Sequence, residues 1–171
     1  MAGALPQRIK LTVATVDDAA TIHSLQTEAF LPILEKYQDH ETNPANDSIE
    51  RTLQRLAQPA TTYYLIVLED APIGAIRVVH DQQLDRARIS PMFISPRFQG
   101  HGYAQEAIAL LEQVVEAQTW ELNTIQEEER NCHLYEKLGY TRTGESIVIN
   151  DRMTIVAYQK QTIVAYQKQK G

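Results

Sequence analysis

The sequence predicts a single α+β domain in which helices pack on a sheet of about seven strands. Seven short runs are rich in β-branched and aromatic residues and are bounded by turn residues, as strands are. Four other segments repeat apolar residues at helical spacing. Two pairs of strand-like runs are separated only by residues 69–72 and 150–151, which predicts antiparallel hairpins. The chain has 171 residues, 43% of them hydrophobic, which suffices for one core, and we place the domain at residues 1–161.

The first third of the chain predicts one strand followed by a helix and a loop. Apolar residues at odd spacing in 8–14 predict the first strand. Thr15 is the expected N-cap of the next helix, which has two acids in its first turn. Pro32 is expected to interrupt or redirect that helix. The polar segment 35–46 predicts a loop of the kind that often shapes a substrate entrance.

A second helix and a hairpin are predicted next. Asp47 and Glu50 have the spacing of a capping box, and the helix that they start carries one apolar face. Two β-rich runs follow, at 63–68 and 73–79. Both faces of the first run are apolar, so we expect a central strand that is covered on both sides.

The second half of the chain predicts four further strands, of which the last two form a hairpin, and two helices. Residues 87–94 predict a strand that is bulged, bent or unpaired at Pro91, because proline lacks the amide hydrogen. Residues 103–117 predict a strongly amphipathic helix. The remaining runs predict a strand, a short helix closed by a glycine and a final hairpin, at residues 120–125, 130–138, 140–149 and 152–159.

The C-terminal end contains a repeat, because TIVAYQKQ at 154–161 recurs unchanged at 162–169. Two copies of eight residues do not make a solenoid, which stacks longer units. We interpret the second copy as a duplication outside the core and assign residues 162–171 to a tail. Alternatively, the second copy is another strand former that pairs with an exposed sheet edge.

The composition argues against several classes of partner and site. A net charge of −6 disfavours binding to nucleic acid or to an anionic membrane surface, since both need clustered Lys and Arg. Cys132 is the single cysteine, so there is no intrachain disulfide and no thiolate cluster, and we expect no metal. No run of apolar residues is long enough to span a bilayer. A reducing, cytoplasmic compartment is therefore expected.

Residues 99–104, with the sequence QGHGYA, lie between a predicted strand and the amphipathic helix. The glycines allow a tight turn that comes close to a ligand, and the unpaired amides at a helix start can bind phosphate. By itself the pattern also fits an ordinary turn. It lacks the GxGxxG of dinucleotide-binding folds and the lysine of a Walker A loop.

The same residues resemble a known family. Its pattern Q/R-x-x-G-x-G/A, which belongs to the GNAT superfamily of N-acetyltransferases, is matched by Gln99, Gly100, His101, Gly102, Tyr103 and Ala104. The string MFISP at 92–96 precedes this match. A second stretch, RNCHLYEKLGY at 130–140, resembles the family's asparagine followed by LYEKLGF. The resemblance extends over residues 8–161. It implies the GNAT fold, with a mixed, mostly antiparallel twisted sheet, helices on both faces, and a V-shaped splay between the fourth and fifth strands.

The resemblance also implies acetyl-CoA as the cofactor, with its pantetheine arm between the splayed strands. Phe93 and Ile94 would offer main-chain hydrogen bonds to that arm, and residues 99–104 would bind the pyrophosphate. Asn131 would contact the pantetheine region. Tyr135 matches the family tyrosine that protonates the departing CoA thiolate, and it is the one catalytic residue that we assign.

The implied reaction is direct attack of a primary amine, from a small molecule or a protein, on the thioester in one ternary complex. Cys132 is disfavoured as a nucleophile. No general base is assigned, and the candidates by composition alone are Glu28, Asp39, Glu41 and Glu121. The alternative function is an acyl-CoA-binding regulatory or interaction module without turnover. A homodimer is a further expectation.

Overall fold

The structure is a computed structural model that describes residues 8–162. Within this range the chain forms seven strands and four α-helices. Their order is β1 (Ile9–Val13), α1 (Ala19–Tyr37), α2 (Ile49–Ala57), β2 (Thr61–Leu68), β3 (Ala71–Asp81), β4 (Arg86–Ile94), α3 (Tyr103–Val114), β5 (Thr119–Ile125), α4 (Glu129–Lys137), β6 (Thr141–Asn150) and β7 (Met153–Gln161). Of the predicted tail, only Thr162 falls within the described residues, so the assignment of 162–171 stays a prediction.

The seven strands form one sheet in the order β1-β2-β3-β4-β5-β7-β6. All neighbouring pairs are antiparallel except β4 and β5, which confirms the mixed, mostly antiparallel sheet. The turn between β2 and β3 is shorter than its composition indicated. Glu69 and Asp70 form it with φ of 47° and 67°, while Pro72 already lies in β3 opposite Val67. Positive φ at both central residues matches the turn to the twist of the strands.

Helices cover both faces of the sheet, as predicted. On one face, Leu65 and Val67 of β2 pack in a cluster with Ile22 and Leu25 of α1. On the other face, strand residues pack with buried side chains of α3 and α4, which include Ile108, Leu111 and Cys132. Because side chains alternate along a strand, the apolar run in β2 supplies both clusters, which confirms it as a covered inner strand.

Strands β4 and β5 pair only at their beginning. Their parallel ladder runs from Arg86 opposite Thr119 to Ile89 opposite Leu122. Beyond it, β4 continues to Ile94 and β5 to Ile125, without pairing to each other. The ladder ends just before Pro91, which has no amide hydrogen to donate. On the other side of β4, the register with β3 shifts at the same place. The predicted splay and the predicted irregularity are therefore both present.

The predicted end of the first helix and the predicted start of the second are wrong. Helix α1 continues through Pro32 to Tyr37, because a proline removes one helical hydrogen bond while Leu34 and Tyr37 beyond it are buried and hold the last turns in place. Helix α2 has Ser48 as its N-cap, without a side-chain cap, and not Asp47. The Asp47 carboxylate instead accepts a hydrogen bond from Gln26 of α1 at 3.2 Å.

The start of α1 agrees with the prediction, whereas the end of α3 does not. Thr15 is an N-cap as predicted, although it caps a 3₁₀ turn that leads into α1. Helix α3 ends at Val114, which is 61% exposed, and so it is one turn shorter than the amphipathic pattern indicated. The residues after it leave the helix to approach β5, where Ala117 is buried.

Candidate active site

The glycine turn lies between the end of β4 and the start of α3. Gly100 and Gly102 have φ of 81° and 83°, a left-handed conformation that side chains disfavour. Gly102 is the N-cap of α3, and no side chain caps the helix there. The first amides of α3 therefore have no partner within the helix, and its dipole places positive potential at the same point. This arrangement fits a phosphate group.

A cavity of 690 Å³ opens between this turn, the end of β4 and helix α4. Nearly all the predicted site residues line it, namely Phe93, Ile94, Gln99, Gly100, Gly102, Tyr103, Ala104, Asn131 and Tyr135. His101 does not line the cavity. Its ring instead lies beside that of Tyr103, with centroids 5.7 Å apart. The two sequence motifs, which are about thirty residues apart, thus meet in one site, of a volume typical for ligand cavities of about 300–1,000 Å³.

The backbone of β4 presents polar groups to this cavity. The amide of Ser95 donates to Ile73 of β3 at 2.8 Å, so by strand alternation the main-chain groups of Ile94 point away from β3 and toward the splay. The carbonyl of Ile94 accepts a hydrogen bond from the Gln99 side chain at 2.9 Å. The same alternation turns the main chain of Phe93 toward β3. Ile94 is therefore the better placed of the two predicted donors, and their roles toward the cofactor stay predictions.

Two arginines that the sequence interpretation missed flank the glycine turn. The Arg8 guanidinium lies 4.7 Å from the centroid of the Tyr103 ring and is held by Glu106 at 3.0 Å. An added Cβ at Gly102 would lie 3.2 Å from Arg8, and one at Gly100 would lie 3.8 Å from Arg130. Arg130 was visible beside Asn131, but nothing near Arg8 in the sequence indicated its position, because it depends on the packing of β1 against α3.

Tyr135 is half-buried in the cavity, and its ring packs against those of Tyr140 and Tyr158. Its hydroxyl has no hydrogen-bond partner among residues 8–162. Burial, with a smaller contribution from nearby Cys132, raises the pKa of Tyr135 to about 12. The phenol is therefore protonated at neutral pH and has a proton available for a ligand group in the cavity.

A second cavity of 370 Å³ lies on the other side of the splay and is lined by residues of β4, β5 and the loop after α1. Of the acids considered as a base, Asp39 lines this cavity, but it is buried and its carboxylate accepts hydrogen bonds from Thr42. Glu28, Glu41 and Glu121 line neither cavity. Of the four acids, one therefore lines a cavity and three do not.

Cys132 is the buried residue of α4. Its Sγ atom lies 3.7 Å from the carbonyl oxygen of Ile125, and it lines neither cavity. In the part of the chain that is described, no group of three or more His, Cys, Asp or Glu could hold a metal ion. Over the same residues, no helix is both long and apolar enough to cross a membrane.

The chain is similar to one protein family and to several solved structures. The model of the acetyltransferase (GNAT) family matches residues 20–140. No curated protein sequence is significantly similar to the chain. Among solved structures, a spermidine N-acetyltransferase from Vibrio cholerae, in complex with CoA and spermine, is 20% identical with a TM-score of 0.72. The alignment covers 91% of this chain and 96% of that one.

Two other solved structures are similar at the same level. An acetyltransferase from Salmonella typhimurium, which modifies the N-terminal serine of a 50S ribosomal subunit protein, is 14% identical with a TM-score of 0.71, covering 92% of this chain and 96% of its own. A microcin self-immunity acetyltransferase in complex with acetyl-CoA and AMP is 16% identical with a TM-score of 0.71, covering 92% and 94%. These likenesses show a shared fold. Because the family model matches most of this chain, the chain belongs to the GNAT family of acetyltransferases, enzymes that use acetyl-CoA.

Proposed function

We propose that this enzyme transfers the acetyl group of acetyl-CoA to a primary amine by direct attack, with Tyr135 as the acid that protonates the thiolate. One observation carries the proposal: an unpartnered, protonated phenol lies in the same cavity as an uncapped helix start. The first feature suits a leaving thiolate and the second suits a pyrophosphate. Their common cavity allows one ligand to reach both.

The residues of the cavity fit the two ends of acetyl-CoA. Amides of residues 100–104 and the flanking Arg8 and Arg130 would hold the phosphates, and main-chain groups of Ile94, with Phe93 beside it, would hold the pantetheine arm. Asn131 would contact the same arm. When bound, acetyl-CoA supplies the acetyl group as a thioester. The protein orients it and holds a proton at the Tyr135 hydroxyl.

The proposed acceptor is a primary amine. Two of the similar solved enzymes act on amines of different kinds, a polyamine and the N-terminal serine of a protein. Both kinds are compatible with a primary amine that enters through the second cavity. A cytoplasmic location and a homodimer remain predictions.

Thiol release from acetyl-CoA in the presence of a panel of amines tests the proposal. Tyr135→Phe removes the acid, so we expect kcat to fall about a hundredfold or more, while CoA affinity changes by less than about twofold. Tyr64→Phe is the matched control, because Tyr64 of β2 is also half-buried but lines neither cavity. Equal kcat in wild type and Tyr135→Phe would remove the acid role.

A further inference from the structure

The two cavities meet at a small set of residues, and one of these residues is charged. The residues that line both cavities are Phe30, Ile33, Met92, Glu128, Asn131 and Tyr135. The Tyr135 hydroxyl marks where the thiolate is expected, so the junction is where the acceptor must approach. Glu128 therefore lies at the position where the chemistry of the acceptor is selected.

Glu128 is held firmly at this junction. It is the residue before α4, and its amide donates to the carbonyl oxygen of Ile125 at 3.0 Å. Its Oε2 atom accepts hydrogen bonds from the Tyr37 hydroxyl and, at 2.7 Å, from Lys36 Nζ. The end of α1 is thereby tied to the start of α4. The Oε1 atom accepts no hydrogen bond from residues 8–162.

The Glu128 carboxylate is negatively charged at neutral pH. Burial alone would raise its pKa, but hydrogen bonds from Lys36 and Tyr37, together with the charge of Arg130, lower the pKa below its usual value. A carboxylate of lowered pKa is a weak base but a good partner for a cation. Since its side chain is 20% exposed, a ligand in the cavity can reach it.

The walls of the second cavity add a constraint on the ligand. They combine apolar side chains, among them Ile89, Pro91 and Leu122, with polar ones, among them Arg88 and Asn123. The apolar side chains suit an aliphatic stem of the acceptor, and the Glu128 carboxylate suits a cationic head. An aliphatic primary amine in its protonated form satisfies both requirements.

We infer that Glu128 binds the ammonium group of an aliphatic primary amine at the junction and positions it for acetylation. This inference rests on the proposed function, because it identifies the acceptor end of the same site. Glu128 acts by binding the acceptor, and the proton of the ammonium group leaves to water before attack.

Calorimetric titration of the CoA-loaded full-length protein with pentylamine and with 1,5-diaminopentane tests the inference. We expect wild type to bind at least one of them, and Glu128→Gln to bind it about ten- to a hundredfold more weakly, with CoA affinity unchanged. Because Glu128→Gln also loses the charge that holds Lys36, its Tm should fall, and binding is compared at a temperature where both proteins are folded. Glu129→Gln is the matched control, because it removes the same charge from an exposed neighbour that lines neither cavity. It should bind as wild type, and Glu128→Asp should retain part of the affinity.

In turnover, the same inference predicts that Glu128→Gln raises KM for the amine more than it lowers kcat, which a purely structural role would not do. No binding of either amine to wild type, equal binding to Glu128→Gln, or the same loss in Glu129→Gln would overturn the inference. An amine that binds through Glu128 but is not acetylated would contradict the proposed function alone.

Discussion

The contact between β3 and the end of β4 should control cofactor binding, and Gly74→Ala tests this. An ideal Cβ at Gly74 would lie 2.2 Å from the carbonyl oxygen of Phe93 and 3.0 Å from the Cα atom of Ile94. The first distance is 1.2 Å short of the 3.4 Å at which ordinary contact begins. Both contacts are with backbone, so β4 must move by about 1 Å because no side chain can turn away.

This displacement affects stability and the site together. Overpacking of this kind costs about 1–3 kcal/mol of unfolding free energy. It also shifts the main chain at Ile94, which faces the splay, and the loss of one or two hydrogen bonds there would weaken CoA binding about tenfold. Urea unfolding, followed by fluorescence of the buried Trp120, measures the first effect, and calorimetry with CoA measures the second.

Gly144→Ala is the control for Gly74→Ala. Gly144 has φ of 97° with nothing within 4 Å of an added Cβ, so the substitution costs about 1–2 kcal/mol of backbone strain. Gly144 lies in β6, no residue of which lines either cavity. The substitution should lower stability by a similar amount and leave CoA affinity unchanged. If Gly74→Ala binds CoA as wild type does, or if both variants lose affinity equally, the positioning role of this contact is refuted.

Three further predictions concern the glycine turn, the buried phenols and the C-terminal repeat. Gly102→Asp and Gly102→Ala both place a side chain at a φ of 83°, so the difference between them reports the added carboxylate. In calorimetry the Asp variant should bind CoA at least about tenfold more weakly than the Ala variant, because the carboxylate repels a phosphate at the helix start. Equal affinities would contradict a phosphate at this turn. Burial raises the pKa of Tyr135 and of Tyr158 to about 12, whereas tyrosines in an unfolded chain have a pKa of about 10. Above about pH 10 the unfolded chain therefore loses protons before the folded protein does, and the urea midpoint of unfolding should fall as the pH rises. A urea midpoint that stays constant as the pH rises through about 10 would show that these phenols are not desolvated. Removal of residues 163–171 should leave cooperative unfolding intact, since β7 ends at Gln161 and Thr162 still donates to Gln118 at 3.0 Å; non-cooperative unfolding would show that the second repeat belongs to the core.

The sequence predicted most of the fold because local patterns carry it. The covered strand β2, the amphipathic α3 and the irregularity at Pro91 each follow from side-chain alternation, helical spacing or a missing amide. The errors lie where packing outweighs local preference. Helix α1 passes Pro32 because Tyr37 is buried beyond it, and α3 stops before Ala117 because the chain must turn to β5.

The residues that line the larger cavity could be predicted where they belong to continuous motifs. The glycine turn, apart from His101, and Tyr135 lie in such motifs and line the cavity, while their roles toward a cofactor stay predictions. Arg8 was not predicted, because it reaches the turn through Glu106, which is 98 residues away in sequence. Glu128 is the middle acid of a run of three at 127–129, and only the fold distinguishes it from its neighbours by directing it to the junction.

A crystal structure of the protein with CoA tests the cofactor site most directly. We expect the pyrophosphate to accept hydrogen bonds from main-chain amides of residues 100–104 and the pantetheine arm to lie between β4 and β5. The CoA sulfur should lie within hydrogen-bond reach of the Tyr135 hydroxyl. CoA bound outside the splay, or with its sulfur remote from Tyr135, would contradict this expectation.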